Sequence, residues 1–321
     1  MIGLAEALAW IGDRFAPLGA ETVPLGAASG RVLAETLAPL APARRAGIDG
    51  HAVRAAETEG ASDYAPLPVA SVAVVAGAAL PAGTDAVLPP HMVEGATALA
   101  AVAPGEGAQP PDGLGLAAGT LLQPAHLAAA ALHGRTELAV IRRPSVALRV
   151  AGAKAGPDAL TPMLQAMIAA EGGMIGLPDL VLLAGRSGPG PDDDGVRAFD
   201  SVFAHGIRMR PGESCALGVI GGIPALLLPG DPVACAIAFA VLAAPALHRL
   251  AGRPDPAPVT VTLARKIVSG LGQIELVRVR LEGGQATPLP PILCAAEGLV
   301  LVPEGSEGYP AGAAVAMYPL S

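Results

Sequence analysis

Two places along the 321 residues combine side chains able to handle charge. In "ALLLPGDPVACAIAFAV", residues 225–241, an apolar strand ends at Gly230, Asp231 stands where a helix cap belongs, and Pro232 suits the first helical turn. The free N–H groups and the dipole of such a helix favour an anion. Most strand–turn–helix junctions bind nothing, however, and the Asp231 carboxylate opposes a neighbouring anion. Upstream, Asp192, Asp193 and Asp194 are adjacent. Three carboxylates can hold a divalent cation, or they can form a solvated acidic loop that caps a helix. Asp49 precedes Gly50, a pairing equally at home in a turn. Among the histidines, His205 lies just ahead of the Arg208–Arg210 segment and has a pocket reading; His126, His133 and His248 lie in apolar helical contexts and read as capping or surface groups.

The elements that must position these groups are legible as changes of texture. From 143 to 252 strands and helices alternate: "SVALRVAG", a helix over Thr161–Glu171, the apolar run "LVLLAG" ending at Gly185, then "SCALGVI" and "IPALLLPG" joined by Gly221-Gly222. Alternation argues for a parallel α/β layer, and the Gly-Gly pair for an antiparallel hairpin at its end. Before it, an amphipathic helix carries Leu4, Leu8, Ile11 and Phe15, and a second helix is expected over Ala28–Leu37. Short Val-rich runs broken by Pro and Gly fill roughly 39–117 and read as a small β-domain. "PAHLAAAALHG" is a helix opened by Pro124 and capped by Gly134, and "ELAVI" a strand. After Arg253-Pro254-Asp255-Pro256 the texture is β to the end.

Composition narrows the function classes. A formal net charge of −8 with 2% aromatic residues disfavours nucleic-acid binding, and an anionic ligand would need a local Arg or backbone N–H cluster. Cys215, Cys235 and Cys294 have no metal or disulfide spacing and read as small buried groups in a reducing compartment. The apolar stretch Val233–Leu247 is shorter than a span needs and contains Pro245, so a buried helix is expected rather than a membrane segment. With no signal peptide visible, the expected location is the cytoplasm.

Five segments, in order, resemble one family. "AGIDGHAVRA" at 46–55 is similar to "SAMDGYAVRA", "GAALPAGTDAV" at 77–87 to "GAPLPEGADAV", and "RRPSVALRVAG" at 142–152 to "RRPRVAILSTGDE". "RMRPGES" at 208–214 with "LLPGDPVACAI" resembles "MKPGKP … GLPGNPVSA", and "LHRLAGRP" matches the helix ending that follows. These belong to the molybdopterin molybdenumtransferase (molybdenum insertase) family, related to the gephyrin E domain. The chain resembles a shortened, divergent member.

The resemblance implies an α/β multidomain fold. Residues 1–42 and 118–142 would form a helical region, 43–117 an inserted β-domain, 143–252 the molybdopterin-binding α/β domain with a mixed sheet, and 253–321 a C-terminal β-domain. It implies a homodimer, service to a molybdoenzyme or another cofactor-biosynthesis protein, and insertion of molybdate into adenylylated molybdopterin with release of AMP, aided by Mg²⁺. Asp49 and Asp193 would be the catalytic carboxylates, with Asp192, Asp193 and Asp194 on the metal side. Gly185, Arg210, Pro211, Gly212, Gly230, Asp231 and Pro232 would hold the cofactor. The sequence departs from the pattern at Glu213, where the family has Lys, and at Ala153 and Lys154, where it has acidic residues. Those departures open a second expectation: a molybdopterin-binding carrier or scaffold of the same fold that has lost turnover.

Overall fold

The structure, a computed structural model, describes residues 1–37, 44–109, 115–132, 134–151, 157–190, 193–292 and 294–320. It forms two compact units, Met1–Ala34 with Leu138–Ser321, and Glu35–Glu137.

At the heart of the first unit is a six-stranded mixed sheet. Its spatial order is Met174–Ile175, Ser145–Val150, Leu180–Ala184, Ile223–Leu228, Ala216–Ile220, Ser201–His205. The first four strands are parallel and the last two antiparallel. Every residue of Leu180–Ala184 is buried, as an uninterrupted apolar run requires of a strand covered on both faces. Leu180 and Leu182 join the larger core, while Val181 and Leu183 pack on the opposite face with Phe199 and Leu227. The Gly221-Gly222 turn joins Ala216–Ile220 to Ile223–Leu228 as expected, both glycines lying at positive φ (60° and 80°) where a two-residue hairpin needs them.

Helices seal one face. Leu160–Ala170 contributes Leu160, Leu164 and Ile168. The helical run Pro232–Ala251 is long and apolar enough to cross a membrane, yet 67% of its apolar window is buried within the protein, so it serves as a core helix. The N-terminal helix Leu4–Arg14 buries Leu4, Ala7, Trp10 and Ile11. The helix expected over Ala28–Leu37 is not formed. Gly30 takes φ +71°, and Leu33 and Leu37 instead make isolated bridges to Val140 and Leu116. The helical region is therefore sparser than its sequence texture suggests.

The C-terminal residues close on themselves. Ile274–Glu282, Gln285–Pro288, Val259–Leu263, Ala314–Pro319 and Gly298–Val302 pair in that order, and the last pairs back to the first. The barrel-like ring leaves none of the five as an open edge. Its interior holds Leu263, Val279, Val300, Val302 and Met317. Met209–Arg210 joins this sheet too, parallel to Ile274–Glu282.

The second unit is built from short strands. Gly50–Val53 lies between Val72–Val74 and Ala86–Leu88, over a core of Val53, Ala86, Leu88, Ala98 and Val102. Its helix Pro124–Leu132 starts at the expected proline, and Gly134 follows at φ +74°.

Candidate functional site

In an open α/β sheet, ligands bind outside the carboxyl ends of the strands, where successive connections leave in opposite directions. Here the chain passes from Ser145–Val150 outward to Met174–Ile175, then back across to Leu180–Ala184. The switch lies between Ser145–Val150 and Leu180–Ala184, and a pocket of about 450 Å³ opens there. Its floor is Val150, Ala151, Ala184 and Gly185; its rim carries Arg149, Arg186, Arg197 and Asp194.

Glycine is required at the floor. Gly185 takes φ +89°, and a Cβ on it would lie 2.9 Å from the Ala151 carbonyl oxygen. A Cβ on Gly230 would come within 3.3 Å of the Gly185 Cα, so the ends of two strands approach closely. Gly185 also donates its N–H to the Leu228 carbonyl at 3.1 Å. Behind the pocket, Arg142 forks onto Asp179 at 2.7 and 3.0 Å, and Asp179 also accepts from the Ser145 N–H at 2.9 Å. That grip aligns the starts of the two strands, and the Asp179 carboxylate raises the Arg142 pKa.

The residues singled out from sequence divide into three groups. Gly185 and Asp194 line the pocket, with Gly230 beside them. Asp231 caps the next helix, its Oδ1 accepting from the Ala234 N–H at 2.8 Å, with Pro232 in the first turn. Arg210 ends the strand that joins the C-terminal sheet, Pro211 and Gly212 follow it, and none of the three is among the pocket's lining residues. Gly212 takes φ +115°, and its N–H donates to Glu213 Oε2 at 3.0 Å.

Asp193 folds back on its own loop. Its Oδ2 accepts from the Gly190 N–H at 2.9 Å, and a side chain at Gly188 or Gly190 would collide with it. Asp194 instead faces Arg186, Oδ1 to Nη1 at 3.4 Å. Asp192 lies outside the described residues. Among the described residues no group of three or more His, Cys, Asp or Glu side chains is placed to share a metal ion. Of the three adjacent carboxylates, the two described are engaged within their loop, Asp193 with Gly190 and Asp194 with Arg186, and no step below is routed through Mg²⁺. Asp49 belongs to the second unit, where it is exposed and its Oδ1 accepts from the Ala76 N–H at 2.7 Å.

Sequence reasoning missed the three rim arginines. The available signal was Arg149, a charge interrupting an apolar strand near its end. His205 is a brace rather than a pocket group: its Nε2 lies 3.1 Å from the Ser187 carbonyl, and Ser187 Oγ lies 2.8 Å from Ser214 Oγ. The buried cysteines are inert, since burial pushes the Cys215 thiol up and that of Cys235 up to about 12.

Known proteins converge on one family. Residues 2–134 match the model described as "MoeA N-terminal region (domain I and II)". A molybdopterin biosynthesis protein of Methanocaldococcus jannaschii is 30% identical over 153 residues, 44% of this chain but only 36% of that relative. Molybdopterin molybdenumtransferase 2 of Mycobacterium tuberculosis is 27% identical over 385 aligned positions, covering 94% of this chain and 95% of the relative. That alignment is longer than this chain, so the present sequence carries deletions within it. The crystal structure of the molybdopterin biosynthesis moeA protein from Pyrococcus horikoshii OT3 superposes with a TM-score of 0.76 over 99% of both chains at 24% identity, which establishes the fold. The ordered motifs, the matched N-terminal region and the shared fold make this chain similar to the MoeA proteins of molybdenum cofactor biosynthesis, at low identity.

Proposed function

We propose that the protein binds molybdopterin, in its adenylylated form, in the pocket between Ser145–Val150 and Leu180–Ala184, and inserts molybdate with release of AMP. The observation that carries this reading is the pocket itself. It stands at the switch point of the sheet, its floor is kept open by Gly185, and its rim is cationic in a chain of net charge −8. The chain's residues would bind the phosphate-bearing ligand at the rim and receive the flat pterin over the glycine floor. Water would cleave the phosphoanhydride, AMP leaving as the dithiolene takes the metal. Asp193 is a carboxylate proposed to order molybdate or that water, and Asp49 is proposed to serve the same reaction across the homodimer. The same reading carries a homodimer, delivery to a molybdoenzyme, and a cytoplasmic location.

Two observations favour a second reading, a carrier without turnover. Asp193 is engaged in its own turn, and Glu213 stands where the family has Lys and accepts a backbone N–H. Titration with adenylylated molybdopterin, followed by molybdate and measurement of AMP, separates the two. Binding with AMP release is the expected result for an insertase, and binding without release identifies the carrier. A folded protein that does not bind the ligand contradicts both.

A further inference from the structure

We infer that the pocket neutralises its ligand with the guanidinium groups of Arg149, Arg186 and Arg197, and so takes a tetrahedral dianion without a divalent cation. This rests on the reading of the pocket as the molybdopterin site and names the groups that hold the charge.

Among the described residues, three arginines share the rim with a single acidic residue, Asp194. That carboxylate faces only Arg186, at 3.4 Å with both side chains 47% exposed, a long and solvated pair that a dianion can displace. A guanidinium stays charged at any physiological pH and presents paired N–H groups that match two oxygens of a phosphate or molybdate. Among the described residues, the carboxylates that would recruit a metal are otherwise placed, Asp193 in its own turn and Asp194 against Arg186.

The backbone supplies an independent observation. Arg186 takes φ +53°, and among the described residues it is the one non-glycine residue at positive φ. An L side chain there is disfavoured, and such conformations persist at sites where position matters more than stability. The conformation turns the chain directly after Gly185, at the mouth of the pocket, and the Arg186 carbonyl is held by the Gly195 N–H at 3.0 Å. A glycine at this position would satisfy the backbone better and would remove the charge.

The test is equilibrium titration with molybdopterin, in chelator and again with added Mg²⁺, of wild type, Arg149→Leu, Arg186→Gly and Arg197→Ala. Wild-type affinity is expected to be the same in both buffers and to weaken as salt is raised. Each variant should bind about tenfold more weakly. Arg186→Gly should do so with a thermal midpoint at or above that of wild type, a combination that a merely structural arginine would not give. Competition by inorganic molybdate would assign the arginines to the metal oxyanion, and competition by inorganic phosphate to the ligand's phosphate; either supports the proposal. Loss of wild-type binding in chelator, or variants that bind like wild type, overturns the arginine assignment and leaves the pocket's identity standing. Failure of folded wild type to bind in either buffer overturns the pocket's identity, and this proposal with it.

Discussion

Replacing His248 with alanine is expected to cost about 1.5–3 kcal/mol of stability, because it removes a buried hydrogen bond to a carboxylate. His248 is 3% exposed, with Nε2 2.7 Å from Glu171 Oε2 and Nδ1 2.7 Å from Asp255 Oδ1. Glu171 ends the helix Leu160–Ala170 and is itself 7% exposed; Asp255 lies in the proline-rich linker to the C-terminal barrel. The imidazole thus ties a helix, the core helix and the linker together, and Arg253 adds a hydrogen bond to the Glu171 carbonyl at 3.0 Å.

Burial alone disfavours the imidazolium, but hydrogen bonds and charge from Glu171 and Asp255 outweigh it, so the His248 pKa is raised above 6.5. A histidine whose pKa is raised on folding contributes stability that is fully present below its unfolded value. That contribution is lost as pH rises through the folded value. Urea unfolding of wild type should therefore show a component that declines from about pH 6.5 upward. His248→Gln, which has no proton to lose there, should lack it. Unfolding midpoints for His248→Ala equal to wild type at pH 6 and pH 8 would refute the buried clamp.

The second large effect is expected at Gly50. A Cβ there would lie 2.1 Å from the Leu88 carbonyl oxygen, on a strand paired with its own. Backbone cannot yield as a side-chain tip can, so Gly50→Ala must part the two strands. A loss of about 3 kcal/mol is expected in the second unit. Hydrogen exchange should report it as faster exchange at Ala52, Val53 and Val87. Asp49, tied to Ala76 from the adjoining bend, should lose its position as well. Unchanged exchange in those strands would show that the strand spacing is not set by this contact.

What the sequence made legible was local. Asp231 and Pro232 begin a helix because a cap and a first-turn proline need only their neighbours, and the Gly221-Gly222 hairpin is equally self-contained. The motif order along the chain carried the fold class. The Ala28–Leu37 helix failed because Leu33 and Leu37 find bridge partners distant in sequence, which periodicity does not register. His248 was misread for the same reason: its partners are 77 and 7 residues away, and one belongs to another element. The site was half legible. Gly185 and Gly230 were readable as strand ends, but Arg149, Arg186 and Arg197 converge only once the sheet order is known. Asp193 carried the right chemistry in sequence, and its loop geometry turns that carboxylate onto Gly190.

The central claim is that the pocket at the strand ends is where molybdopterin sits. A crystal structure of the protein with bound molybdopterin tests it most directly. The expected result is ligand density over Gly185 with phosphate oxygens against Arg149, Arg186 or Arg197. Density at any other position, with this pocket empty, would contradict the account.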